Sequence, residues 1–267
     1  MTAQPRYRRP LNNDQLDVLY LLYKFRFLTS DLLASYFGKA SGIYVYKRLQ
    51  VLTEQGFIGK RFDSSYRLRG MPAAYYLKPK GLTKLNENRT TLGKEHLLGG
   101  WLYKETRVSQ QFVEYCCGMF ETYLLLREQL GEDLRFFTKT QLKGKYEYFE
   151  EFTPAGYASI RYSGKDHDYF IEYIQAAKPV VAAVVTVRQY VAFSESGDWE
   201  SSIGEDLPPV LLICKSDKIR KKLITELEPI LSNADDNLRV YVSVTLDLKE
   251  WQDITEHSEI RYPILSI

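Results

Sequence analysis

Apolar residues recur along the chain in two rhythms, and the change from one to the other divides it. In residues 41–58, "SGIYVYKRLQVLTEQGFI", Val45, Leu49 and Leu52 stand at i, i+4 and i+7. That spacing places them on one stripe of a helix, with Ser41 as the expected N-cap and Gly56 as the stop. Upstream, Leu16, Leu19, Tyr20 and Tyr23, with Val18, Leu22 and Phe25, predict a helix behind an Asn12 or Asn13 cap. A second, shorter helix follows, with Leu32, Leu33 and Phe37 between Thr29 or Ser30 and Gly38. Downstream, 57–62 and 73–77 are apolar runs separated by a polar loop with Gly and Pro, the pattern of a long-looped hairpin.

Beyond residue 106 the rhythm changes. Residues 107–131 predict a long helix with apolar groups around much of its circumference, from Phe112 to Leu126, a breadth that requires burial on more than one side or a two-fold interface. Short runs rich in β-branched and aromatic residues follow: "DLRFFTK", "GYASIRY", "HDYFIEYI", "PPVLLICKS" and "LRVYVSVTL". Between the last two lies a helix marked by Ile219, Leu223, Leu227 and Leu231. The valine-rich "KPVVAAVVTVRQYVAF" fits strand by composition and helix by length and spacing, and is taken as a helix. The order implies a mixed α/β domain with some parallel pairing and helices covering the sheet.

The solvent side of the 41–55 helix changes the picture from fold to function. At 100° per residue, Ile43, Lys47, Gln50 and Glu54 oppose the apolar stripe, flanked by Tyr44, Tyr46 and Arg48. Hydrogen-bonding and aromatic groups gathered at a helix N-terminus suit the reading of base edges. Charge agrees. Residues 1–90 hold 16 Lys and Arg against six Asp and Glu, whereas the rest holds 20 against 28, so a net charge of +2 hides a polarised chain. A basic segment of this kind favours phosphate contact. Arg6, Arg8 and Arg9, interleaved with Tyr7 and bounded by Pro5 and Pro10, would suit a flexible arm along a DNA backbone or in a minor groove.

Other chemistry is sparse. Residues 1–10 contain no apolar signal-peptide core, and the longest uncharged apolar stretch, "PVVAAVVTV", is about half of what a membrane span needs. Three cysteines, Cys116 and Cys117 adjacent, form no disulfide framework, and a cytoplasmic protein, associated with nucleoid or plasmid, is expected. His96, His167 and His257 are too dispersed for a zinc or paired-histidine site, and no phosphate-binding glycine loop occurs. No cofactor is expected.

Three helices followed by a two-stranded ribbon, with "YYLKPKGLTKL" as second wing strand and start of a closing helix, resemble a bacterial winged helix-turn-helix domain. The resemblance implies base-edge roles for Ile43, Tyr44, Lys47 and Gln50, and backbone roles for Ser41, Arg48, Lys60, Arg61, Arg67 and Arg69. With the α/β half behind it, the chain resembles the replication-relaxation family of plasmid and mobile-element proteins, whose C-terminal part is similar to the PD-(D/E)xK nuclease fold. The expected fold class is therefore α+β: a winged helix-turn-helix followed by a mixed α/β domain resembling a degenerate nuclease. The expected layout is an arm at 1–10, a DNA-binding domain at 11–90, a linker at 91–106 and an α/β domain at 107–267.

The nuclease pattern is broken in "TPAGYASIRYSGKDHDYFIEYI": Pro154 precedes Ala155 rather than Asp, and Glu172 leads to Tyr173 and Ile174 rather than Lys. Asp168 and Glu172, the remaining metal candidates, would sit roughly 13 Å apart on one strand, too far to share an ion. Asp166, His167 and Asp168 could gather only in a turn, and Glu172 is expected to cap a sheet edge in solvent. The sequence thus points to a double-stranded DNA-binding regulator or accessory factor with a non-catalytic C-terminal domain, acting as a homodimer or with replication or mobilisation proteins. A DNA-processing enzyme with an atypical site and a protein-interaction scaffold remain the alternatives.

Overall fold

The computed structural model describes residues 10–62, 64–175, 179–234, 237–244, 247–254 and 259–260. Arg6, Arg8 and Arg9 lie outside the described residues. The chain divides into two units, Met1–Val108 and Ser109–Ile267.

In the first unit, α1 (Asn13–Phe25) begins with a reciprocal capping box, the Asn12 side chain accepting from the Gln15 amide and Gln15 returning the bond to the Asn12 backbone. It ends at Arg26, whose backbone at φ 70°, ψ −54° lies in a region that L-residues rarely occupy. A short strand not foreseen from sequence, β1 (Phe27–Thr29), leads into α2 (Ser30–Tyr36), capped by Thr29. The third helix, α3 (Ile43–Glu54), buries the expected Val45, Leu49 and Leu52. Its N-cap is Gly42, not Ser41; the Ser41 hydroxyl accepts from the Ile43 amide one step earlier. Glycine is required there by close packing. The Gly42 amide donates to Asp31 Oδ1 at 2.9 Å, and a Cβ would overlap Asp31 and Ser30, so the α2–α3 turn can close only over a hydrogen.

The hairpin is present as β2 (Ile58–Arg61) and β3 (Ala74–Leu77), and the loop between them contains a short helix, α4 (Ser64–Leu68), where only polar loop was expected. The three strands pair antiparallel in the order β1-β3-β2. The closing helix, α5 (Pro79–Thr91), starts with Pro at its first turn, where no amide is needed. Residues 91–106, expected as a linker, contribute to this unit's core: Leu102 and Glu105, on a 3₁₀ turn at Leu102–Arg107, are buried.

The second unit opens with α6 (Gln110–Leu130), capped by Ser109. Strand β4 (Leu134–Thr138) and helix α7 (Lys139–Leu142) precede β5 (Gly156–Tyr162) and β6 (Lys165–Ile174). The valine-rich segment is a helix, α8 (Pro179–Ser196), followed by α9 (Asp198–Ile203), β7 (Val210–Cys214), α10 (Asp217–Leu231) and β8 (Val240–Val244). Strands β9 (Asp247–Asp253) and β10 (Glu259–Ile260), for which the sequence pattern gave no signal, extend the sheet.

The seven-stranded order is β10-β9-β8-β7-β6-β5-β4, with β6, β7 and β8 parallel and the remaining neighbours antiparallel. The parallel trio requires crossovers, which α8 and α10 supply. One core joins Phe170, Ile174, Val210, Leu212, Val240 and Val242 of the sheet to Ala183, Val187 and Tyr190 of α8 and to Leu223 and Leu227 of α10. Helix α6 approaches Tyr173 so closely that a Cβ at Gly118 would overlap the ring, which accounts for a glycine in mid-helix despite its entropic cost of about 1 kcal/mol.

Candidate nucleic-acid interface

The outer side of α3 is open along the residues singled out from sequence. Ile43, Tyr44, Lys47 and Gln50 are all exposed, and Ile43 and Tyr44 are 78% and 65% accessible, far beyond what a helix serving only its core requires. Gln50 donates to Glu54 Oε1 at 2.9 Å, which holds its amide flat on the helix surface.

The cations divide into two sets. Lys60 on β2, and Arg67 and Arg69 at and just beyond α4, are exposed. Arg48 and Arg61 are turned into the unit. Arg48 pairs with Asp14 at 2.5 Å and lies 5.0 Å over the Phe37 ring, tying α3 to α1 and α2, while Arg61 Nη1 donates to the Val108 carbonyl at 2.6 Å. Not all of the positive charge is external either: Lys24 is buried, and desolvation lowers its ammonium to about 8.

Sequence reasoning missed one group on this surface. The Lys60 ammonium lies 5.9 Å from the centre of the Tyr46 ring and 5.3 Å from that of Phe62, two side chains that are 46% and 45% accessible. The signal was there as "GKRF" following a tyrosine-bearing helix, but only the pairing of α3 with the strands brings the three together.

A second missed cluster fixes the end of α1. Arg26 Nε donates to Glu105 Oε1 at 2.8 Å, and its guanidinium stacks 4.8 Å from the Trp101 ring centre. Burial pushes the Glu105 carboxyl up, against the opposing pull of Arg26.

In the second unit, Glu172 does not cap a sheet edge. It sits on β6, between β5 and β7, and is buried, with Oε1 accepting from the Ala155 amide and the Tyr190 hydroxyl, both at 2.9 Å. A carboxyl can occupy a central strand because Ala155 and Tyr190 satisfy it there. Asp168 accepts from the Tyr157 hydroxyl at 2.5 Å, and Asp166 pairs with Arg135. Asp166, His167 and Asp168 belong to β6 and alternate across it, so no turn gathers them. Among the described residues, no group of three or more His, Cys, Asp or Glu is placed to hold a metal ion.

Burial, the leading cause, pushes Glu172 above the ordinary 4.5, opposed by its two hydrogen bonds and by Lys139. The folded state therefore keeps this proton to higher pH than the unfolded chain does. The associated stability is full below about 4.5 and is lost as pH rises through the folded value. Glu172→Gln cannot ionise and should lose less stability than wild type between that pH and neutrality. Thermal melts across the range check this; parallel curves for the two proteins would refute it.

A basic helix-and-sheet unit with an open helix face, followed by a seven-stranded mixed-sheet unit, makes this a two-unit α+β protein. The chain belongs to the replication-relaxation family, whose model matches residues 19–205, from within α1 to just past α9. That membership relates it to plasmid replication and mobilisation. Comparison with curated proteins and with solved structures gives no match. Among the described residues, no helix is long and apolar enough to cross a membrane.

Proposed function

We propose that the protein is a sequence-specific double-stranded DNA-binding factor of plasmid replication or mobilisation, with the first unit acting as a winged helix-turn-helix. The observation that carries this reading is the solvent-facing row Ile43, Tyr44, Lys47 and Gln50 on α3, beside the exposed cations of the β2–β3 hairpin, in the segment that holds 16 of the chain's 36 basic residues. In this reading α3 enters the major groove and its four outward side chains meet base edges. Ser41, Lys60, Arg67 and Arg69 meet phosphates, while Arg48 and Arg61 hold the unit in shape.

The second unit is read as a non-catalytic module for self-association or partner binding. The support is chemical: Glu172 is engaged by the core rather than offered to a substrate, and the nuclease positions after Pro154 and Glu172 hold the wrong residues. A two-fold pair would match a palindromic site.

Selection of bound duplexes from a random pool, with anisotropy titrations of the recovered site, tests the proposal. Lys47→Ala should weaken the selected site by about 1–3 kcal/mol and scrambled DNA little, whereas Arg67→Ala should weaken both nearly alike. Equal losses for Lys47→Ala on every duplex would remove α3 as the reading element.

A further inference from the structure

We propose that Tyr46 and Phe62, with Lys60 beside both, form a stacking platform for unpaired bases, so that the first unit grips locally opened DNA as well as duplex. This rests on the DNA-binding reading above and names a second state of the same partner.

The argument begins with Phe62. Its ring is 45% accessible and carries no hydrogen-bonding group, so it can neither hold a phosphate nor hydrogen-bond a base edge, and on a duplex a thymine methyl is the one base-edge group it could meet. What it offers is a flat apolar face. Inside a duplex the faces of the bases are covered by their neighbours, and only an unpaired or splayed base presents a matching surface. Tyr46 offers a second such face at 46% accessibility.

The placement is built rather than accidental. Phe62 packs edge-on against Tyr66 at 6.2 Å, and Tyr66 is itself buried, which orients the exposed ring. Tyr46 projects from a helix anchored by Val45 and Leu49 on either side. The Lys60 ammonium, within 6 Å of both ring centres, supplies positive charge where the backbone linking stacked bases would run. Aromatic faces with interleaved cations are the recurring means of holding single strands. An ammonium resting on exposed rings contributes little to folding, so stability alone gives no reason for leaving the two rings in water.

The test uses the full chain and three fluorescent probes: a duplex, the same duplex with a short central mismatched bubble, and one strand alone. The wild type should bind the bubble at least about fivefold more tightly than the duplex. Phe62→Ala and Tyr46→Ala should each remove most of that preference and leave duplex affinity within about twofold, with Phe62→Trp restoring it. Both side chains are half-exposed, and matching circular dichroism melts would confirm intact folding. Equal wild-type affinity for duplex and bubble, or a preference untouched in Phe62→Ala, would overturn the platform while leaving duplex recognition standing. Failure to bind any of the three DNAs would overturn both.

Discussion

Replacing Arg26 with alanine should destabilise the first unit by about 3 kcal/mol, near the low end for one partner of a buried ion pair, because Arg26 itself keeps some contact with water. Glu105 is fully buried, and its second oxygen is without a hydrogen bond. Without Arg26 nothing opposes the desolvation of the carboxylate, and its pKa must climb further. The loss should therefore be smaller at acidic pH, where the carboxyl can take a proton. The backbone adds a second expectation. Alanine inherits the φ of 70° without the interactions that held arginine there, so Arg26→Gly should be less damaging than Arg26→Ala by about 1 kcal/mol. Urea unfolding followed by fluorescence reports this directly, since Trp101 stacks on the Arg26 guanidinium. An unchanged midpoint in Arg26→Ala would show that the pair does not support the unit.

Removing the three exposed hairpin cations together, as Lys60→Ala, Arg67→Ala and Arg69→Ala, should lower duplex affinity about 100-fold at low salt. The slope of log affinity against log salt should flatten by roughly 2 to 3, about 0.9 for each phosphate no longer neutralised. The loss should be alike on specific and scrambled DNA, because phosphates carry no sequence. Arg48→Ala offers a contrast. Its guanidinium is held by Asp14 and Phe37, so its removal should act on stability before it acts on the salt slope. An unchanged slope in the triple variant would mean that the hairpin does not touch the backbone.

The elements that could be read from sequence were those whose signal is local. Val45, Leu49 and Leu52 announce α3 at successive turns, and Leu223, Leu227 and Leu231 do the same for α10. Strand β1 could not be read, because three residues leave no room for an alternation and "FRFLT" continues the apolar texture of α1. The short helix α4 hid in a loop rich in serine and arginine.

Within the candidate surface, the outward row of α3 followed from helical geometry alone, whereas the use of each cation did not. Arg48 reaches Asp14 across 34 residues and Arg61 reaches Val108 across 47. The same holds for Glu172: a charged residue in a strand suggests an edge unless its partners are known, and here they are Ala155, 17 residues before it, and Tyr190, 18 after it, on the valine-rich helix α8.

The parallel ladder β6-β7-β8 has a consequence for synthesis on the ribosome. Among the described residues, every strand of the first unit has been made by Leu77, and its last buried side chain, Glu105, follows soon after, so a nascent chain can finish that unit early. The second unit must wait. Phe170 on β6 is registered against Val210, and Val210 against Val240, so the middle of the sheet stays open until translation has passed residue 244. A chain cut off after α9 would hold a completed amino-terminal unit and a β6 strand paired to β5 on one edge and open on the other, a product prone to stick to its siblings through that open edge.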